Sequence, residues 1–112
     1  MAFSMGASLL DAVVLSVVAK EGASGTYGYK ITQEVRGVLA VSESTLYPVL
    51  RRLQKESFLE TYDKAFQGRN RRYYKITSGG MILLDSYRRE WMECRKNLDW
   101  ILLGIERTKD GL

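Results

Sequence analysis

The 112-residue sequence contains no histidine. That removes the side chain most used as a general base near neutral pH, and the commonest transition-metal ligand. Cys94 is the one cysteine, which excludes an intrachain disulfide and a thiolate metal cluster. There is no paired-carboxylate motif and no glycine-rich phosphate loop, so an enzyme has no candidate residues and neither cofactor nor metal is expected. Long apolar runs are missing too. The longest mostly apolar stretch, Leu9 to Ala19, contains Asp11 and is far too short to span a bilayer. No basic stretch precedes it, so no signal peptide is expected. A cytoplasmic chain without a membrane role follows by default. Proline is nearly absent as well, and Pro48 is the only one.

What is there is one domain's worth of chain, 46% hydrophobic and 27% charged, ordinary for a soluble globule. The formal charge of +4 is unevenly placed. The residues up to Val41 balance, and so do those from Thr77 onward. The whole excess lies between Ser42 and Ile76, where Arg51, Arg52, Lys55, Lys64, Arg69, Arg71, Arg72 and Lys75 face only Glu43, Glu56, Glu60 and Asp63. A localised basic patch is the electrostatic footprint of a polyanion binder. The plainer alternative is a solvated basic face.

Periodicity divides the chain. Apolar residues at 9, 10, 13, 14, 17 and 18 predict a largely buried helix over Gly6–Lys20. Glu21 to Gly28 reads as a loop of small residues. Ile31, Val35, Val38 and Leu39 share a face of a second helix. Ser42 offers an N-cap for a third, whose stripe is Leu46, Val49, Leu50 and Leu53. Pro48 falls inside that helix. A proline there loses a hydrogen bond and clashes with the carbonyl four residues back. With Thr45 as cap, Pro48 is the third helical residue and the N–H it lacks has no intrahelical partner; with Ser42 as cap, the favoured reading, the bond to Ser44 is lost and the damage stays in the N-terminal part of a bent helix. Next, Phe58–Tyr62 and Arg71–Thr77 are rich in strand formers. Gly68 and Asn70 lie between them, which predicts a two-stranded hairpin with an arginine-rich tip. Thr77 or Ser78 can cap a last helix, its first turn weakened by Gly79 and Gly80.

On that last helix Leu84, Tyr87, Trp91, Cys94, Leu98, Ile101 and Ile105 follow a heptad seam. Continued to about Arg107, the helix would be roughly 45 Å long. A compact chain of this size has a radius of gyration of roughly 13 Å. Such a helix outreaches its own body, and the economical cover for its seam is a second copy of the chain. The expected class is therefore mainly α with a small β-hairpin. Residues 1–77 form a winged helix-turn-helix, and residues 78–112 a long C-terminal dimerisation helix.

With the third helix's stripe against the core, its other face carries Ser44, Thr45, Tyr47, Arg51, Arg52 and Lys55 beside the cap Ser42. A helix fits the major groove, where hydroxyls and arginine forks read base edges. The first residues of such a helix usually reach the bases, and basic residues further along suit phosphates. Arg69, Arg71 and Arg72 form a basic ribbon for the backbone or minor groove. The bland reading is a hairpin whose edge is kept charged against aggregation.

Three segments resemble the PadR family of bacterial transcriptional regulators. Tyr27–Ile31, "YGYKI", is similar to the opening of that family's second helix. Ser44–Glu60, "STLYPVLRRLQKESFLE", resembles its recognition helix running into the first wing strand. Gly68–Gly80, "GRNRRYYKITSGG", resembles its wing and the entry to the last helix. The resemblance implies a homodimeric repressor on a short palindromic duplex DNA operator, dimerising through the last helix. With one helix after the wing, the chain looks like the family's short subgroup, some of whose members sense drugs or aromatic compounds between protomers. Trp91 looks like the tryptophan that lines such a cavity, with Tyr87, Arg88 and Arg95 as its helical neighbours and Asp85, Glu90 and Asp99 as possible neutralisers. The competing reading makes Trp91 and Cys94 plain dimer core and Trp100 packing. Ala65 and Phe66 depart from the acidic or small polar residues common in the family's wing. A different class remains as the alternative: a winged-helix protein-interaction adaptor whose basic face binds an acidic partner.

Overall fold

The first apolar stripe produces a helix over Ala7–Lys20 (α1) in the computed structural model, which describes residues 6–106. Val14, Leu15 and Val18 on it are fully buried, so α1 runs through the middle of the domain. The segment after it is more ordered than a plain loop. A 3-10 turn at Gly22–Ser24 leads into a two-residue strand, Thr26–Tyr27 (β1). Helices Gly28–Arg36 (α2) and Glu43–Lys55 (α3) follow, then strands Leu59–Phe66 (β2) and Arg69–Ile76 (β3), then helix Ser78–Leu103 (α4).

The expected two-stranded hairpin is the larger part of a three-stranded antiparallel sheet in the order β1-β3-β2. Thr26 lies opposite Tyr74, and Tyr62 lies opposite Tyr73. Gly25 makes the short strand possible. Its φ is +67°, and a Cβ there would run into the Tyr74 carbonyl. The Tyr62 hydroxyl donates to the Ser24 carbonyl at 2.6 Å and ties the same turn to β2.

Helix α3 begins at its expected cap. The Ser42 Oγ accepts the Thr45 N–H at 3.2 Å. Pro48 lies within the helix, so the Ser44 carbonyl loses its partner. Ser44 is exposed, and water can take the place of the missing N–H. Leu46, Leu50 and Leu53 are buried against α1 and the sheet. At the other end Ser57 takes φ +68°. Its N–H donates to the Gln54 carbonyl at 3.0 Å and that of Phe58 to the Leu53 carbonyl at 2.9 Å. This pair of bonds closes the helix in a Schellman turn and aims the chain into β2.

Thr77 joins that corner to α4. Its Oγ1 donates to the Ser57 carbonyl at 2.7 Å and accepts the Gly80 N–H at 2.9 Å. Gly80 is buried because a Cβ there would meet the Phe58 carbonyl and the Ile76 side chain. The glycine that weakens the helix therefore also lets it start against the sheet. Helix α4 is shorter than expected. Gly104, at φ +69° in the left-handed region, stops it at Leu103, so Ile105 is not on the helix, and Arg107 lies outside the described residues. The 26-residue helix still spans about 39 Å. It draws the molecule out to 55 × 28 × 20 Å and its radius of gyration to 16.0 Å. No helix among the described residues is long and apolar enough to cross a membrane.

Among the described residues one charge lies inside. Asp11 on α1 is 6% exposed, and its Oδ1 accepts from Arg52 Nη2 at 2.5 Å. Arg52 also reaches Glu56 Oε1 at 3.2 Å. Burial pushes the Asp11 carboxyl above its ordinary value, while the hydrogen bond and charge of Arg52 pull it back. Arg52→Ala removes that pull and should cost about 2–3 kcal/mol in urea unfolding, the low end for a broken buried pair because Arg52 is itself partly exposed. Arg51→Ala, at an exposed neighbour, should stay within about 0.5 kcal/mol. The sign with pH follows. Without Arg52 the folded state takes up a proton at higher pH than the unfolded chain, so its stability falls as pH rises. The Arg52→Ala deficit should be largest near neutrality and shrink as pH falls toward the carboxylate range.

Candidate nucleic-acid interface

The exposed side of α3 is built by what its other side must bury. With Leu46, Leu50 and Leu53 inward, Ser44, Thr45, Pro48, Arg51 and Lys55 are left exposed, with Tyr47 half-buried beside them. The N-terminus of α3 is also braced against α2. Glu43 Oε2 accepts from Gln33 Nε2 at 3.1 Å and Arg36 Nη1 at 3.5 Å. The Ser42 hydroxyl is committed to capping and also lies 2.9 Å from Ser44 Oγ and 3.1 Å from Thr45 Oγ1. Ser44 and Thr45 are thus the first side chains free to face outward.

Arg52 remains 43% exposed on α3, but its guanidinium is engaged, with Nη1 on Glu56 one turn along and Nη2 on the buried Asp11. The stripe alone gave no sign of that second partner, which sits on a distant helix.

The sheet brings the wing to α3. Strand register puts Asn70, Arg72 and Tyr74 on one face of β3, and Arg69, Arg71 and Tyr73 on the other. Tyr74 is buried, and burial raises its hydroxyl above the ordinary value. The positive charges of Arg72 and Arg51 pull the other way, one from the wing and one from α3. Together the elements enclose an open cleft of about 660 Å³, lined by Tyr29 and Tyr47, the wing residues Arg69 to Arg72, and Phe66. Its floor is the start of α2. A Cβ on Gly28 would stand 3.2 Å from the Tyr47 ring. Arg72 meets Asp63 at 3.6 Å, an exposed pair that solvent screens. Arg71 stands apart from its neighbours. Its guanidinium lies 4.3 Å from the Tyr27 ring centroid and 4.2 Å from that of Phe66. Tyr27, Tyr29, Asn70 and Tyr74 were not among the expected site residues. The doublets "YGY" and "RYY" were the signal that could have found them.

Along α4 the heptad seam splits. Leu84 is 1% exposed within its own protomer and offers a partner no surface. Tyr87 packs toward α1, where burial and the Asp11 charge raise its hydroxyl and Ser8 hydrogen-bonds to it. Cys94 and Leu98 are half-buried, and Ile101 is 68% exposed. A repeat of three and four marks an apolar stripe without saying whether the partner is the same chain. Here α1 covers the first half. Of the residues grouped around an effector, Arg88 and Trp91 line an apolar groove of about 410 Å³ against α1 and α2. Tyr87 and Arg95 do not line it, and Arg88 pairs with Asp85 at 3.3 Å.

Comparison with known proteins gives the same architecture. Residues 14–86 match the family described as "Transcriptional regulator PadR-like family". A transcriptional regulator of Mycobacterium tuberculosis is 33% identical over 88 residues, covering 78% of this chain and 82% of that protein. A crystal structure of a Streptococcus mutans protein superposes with a TM-score of 0.80 at 35% identity, over 97% of this chain and 98% of the other. A PadR-like transcriptional regulator of Bacillus cereus superposes with a TM-score of 0.73 at 31% identity, over 84% of this chain and 91% of the other. With recognition helix, wing and projecting last helix all in place, this chain belongs to the PadR-like family of DNA-binding transcriptional regulators.

Proposed function

We propose that the protein is a cytoplasmic homodimeric repressor. Two copies of α3 enter the major groove of a palindromic operator, and two wings track the adjacent backbone. The observation that carries this reading is the cleft in which Tyr47 of α3 meets the wing residues Arg69 to Arg72, with Ser44, Thr45, Arg51 and Lys55 exposed along the same helix. The hydroxyls of Ser44 and Thr45 suit base edges; Arg51, Lys55, Arg69 and Arg72 suit phosphates. Duplex affinity should fall steeply with salt, with a log–log slope of roughly −0.9 per phosphate neutralised. Arg51→Ala and Arg72→Ala should each flatten that slope by about 1. Binding that ignores salt between about 50 and 200 mM would refute the reading.

The dimer is supported by the end of α4. Ile101, Leu102 and Leu103 are each about two-thirds or more exposed, an apolar surface beyond the reach of the chain's own globule. Charges at Leu98→Asp and Ile101→Lys should split the dimer, as read by sedimentation. A variant that stays dimeric removes α4 from the interface.

A small aromatic effector is supported by the groove that holds Trp91 and Arg88. Its walls are apolar, with Lys20, Glu34 and Arg88 as the charged groups that orient a ligand. In a Trp100→Phe variant, Trp91 fluorescence should be quenched by a planar aromatic acid. Quenching by an aromatic cation alone reverses the charge preference, and no response to either leaves Trp91 as packing.

A further inference from the structure

We infer that Arg71 is a positioning residue of the wing, clamped between Phe66 at the tip and Tyr27 at the base, rather than one of the phosphate contacts. The inference rests on the DNA-binding reading and adds to it how the wing is aimed.

A two-stranded ribbon has little stability by itself in water. Beyond Tyr62 and Tyr73 the hairpin leaves the body: residues 63 to 70 are all exposed. The turn at its tip is a two-residue one, with φ of 51° at Gln67 and 77° at Gly68. That turn fixes the strand pairing but not the direction of the ribbon relative to α3. β1 cannot supply the direction, because it pairs only with Tyr73 and Tyr74 at the base.

Side chains on the outer face of the hairpin supply it. Tyr62 stacks on Tyr73 with centroids 5.3 Å apart, and Tyr27 is tilted against Tyr73 at 5.7 Å. Lys64 lies 5.5 Å over the Tyr73 ring. Arg71 then extends this ladder to the tip. Its guanidinium is 4.2 Å from Phe66, which closes the hairpin opposite Arg69, and 4.3 Å from Tyr27, the residue that leads into α2. A guanidinium presents flat faces to aromatic rings, and one group here bridges a ring at the tip to a ring at the base. Arg71 is also the wing arginine that is half-buried, whereas Arg69 and Arg72 are exposed. Phe66, an apolar side chain at an exposed tip, thereby acquires a role: it is the tip's half of the clamp.

A double-mutant cycle of Phe66→Leu and Arg71→Gln tests this. Phe66→Leu keeps apolar volume and charge but loses the ring face. In the free protein, amide exchange at residues 64–70 should quicken in both single variants while the thermal midpoint of the domain stays within a few degrees. On a duplex of random sequence, Phe66→Leu should weaken binding about fivefold with an unchanged salt slope, and the double variant should be no weaker than Arg71→Gln alone. Additive losses, with Arg71→Gln alone flattening the slope by about 0.9, would make Arg71 a direct phosphate contact and overturn the inference. Unchanged tip exchange in Phe66→Leu would overturn it as well. Quickened exchange in both variants, with no salt-dependent duplex binding by the unsubstituted protein, would defeat the DNA reading and leave the clamp standing.

Discussion

The orientation of the recognition helix depends on one buried carboxylate. Asp11 on α1 is nearly inaccessible to water, and an ion there needs a partner. Arg52 supplies it from α3. The leucines at 46, 50 and 53 set which side of α3 faces inward, but apolar packing tolerates some rotation and sliding. A hydrogen-bonded ion pair adds a directional constraint, because breaking it leaves the Asp11 charge buried without its partner. With Arg52 bound to Asp11, the leucine stripe keeps Ser44, Arg51 and Lys55 on the exposed side. Tyr87 of α4 comes to the same place, its hydroxyl raised by burial and the Asp11 charge. The polar contact itself joins α1 to α3.

The wing is set by a separate device. Its base is held by backbone pairing to β1 and by the Thr77 corner, its outer half by rings and cations. The two devices bring Tyr47 of α3 and the wing residues Arg69 to Arg72 to the walls of one cleft. On the proposed reading, the basic residues of this surface meet backbone phosphates, which fix register, and the hydroxyls at the start of α3 are left to read bases.

Much of this was legible in the residues. The stripe of α3, its Ser42 cap and the tolerated Pro48 follow from local rules, and the exposed faces of helix and wing follow from the stripes. What was not legible depends on contacts between distant parts of the chain. β1 is two residues long, and only its pairing with Tyr73 and Tyr74 makes it a strand. Arg52 looked like its neighbour Arg51, because the aspartate that claims it is 41 residues away. Leu84 and Ile101 share one heptad pattern, yet one is enclosed by its own chain and the other is bare. The end of α4 was readable in principle. Gly104 is a common helix stop, but the apolar spacing through Ile105 masked it.

A helix seated in the major groove leaves a chemical signature that a merely electrostatic association does not. Guanine N7 opens to the major groove, whereas adenine N3 opens to the minor groove. The most direct measurement is dimethyl sulfate protection on a duplex selected from random sequence by the unsubstituted protein. The arrangement of α3 and wing predicts N7 protection in two half-sites about one helical turn apart, lost when Ser44 and Thr45 are both changed to alanine while weaker salt-dependent binding persists. Selected duplexes with no protected N7 positions, or protection that survives those changes, would contradict it.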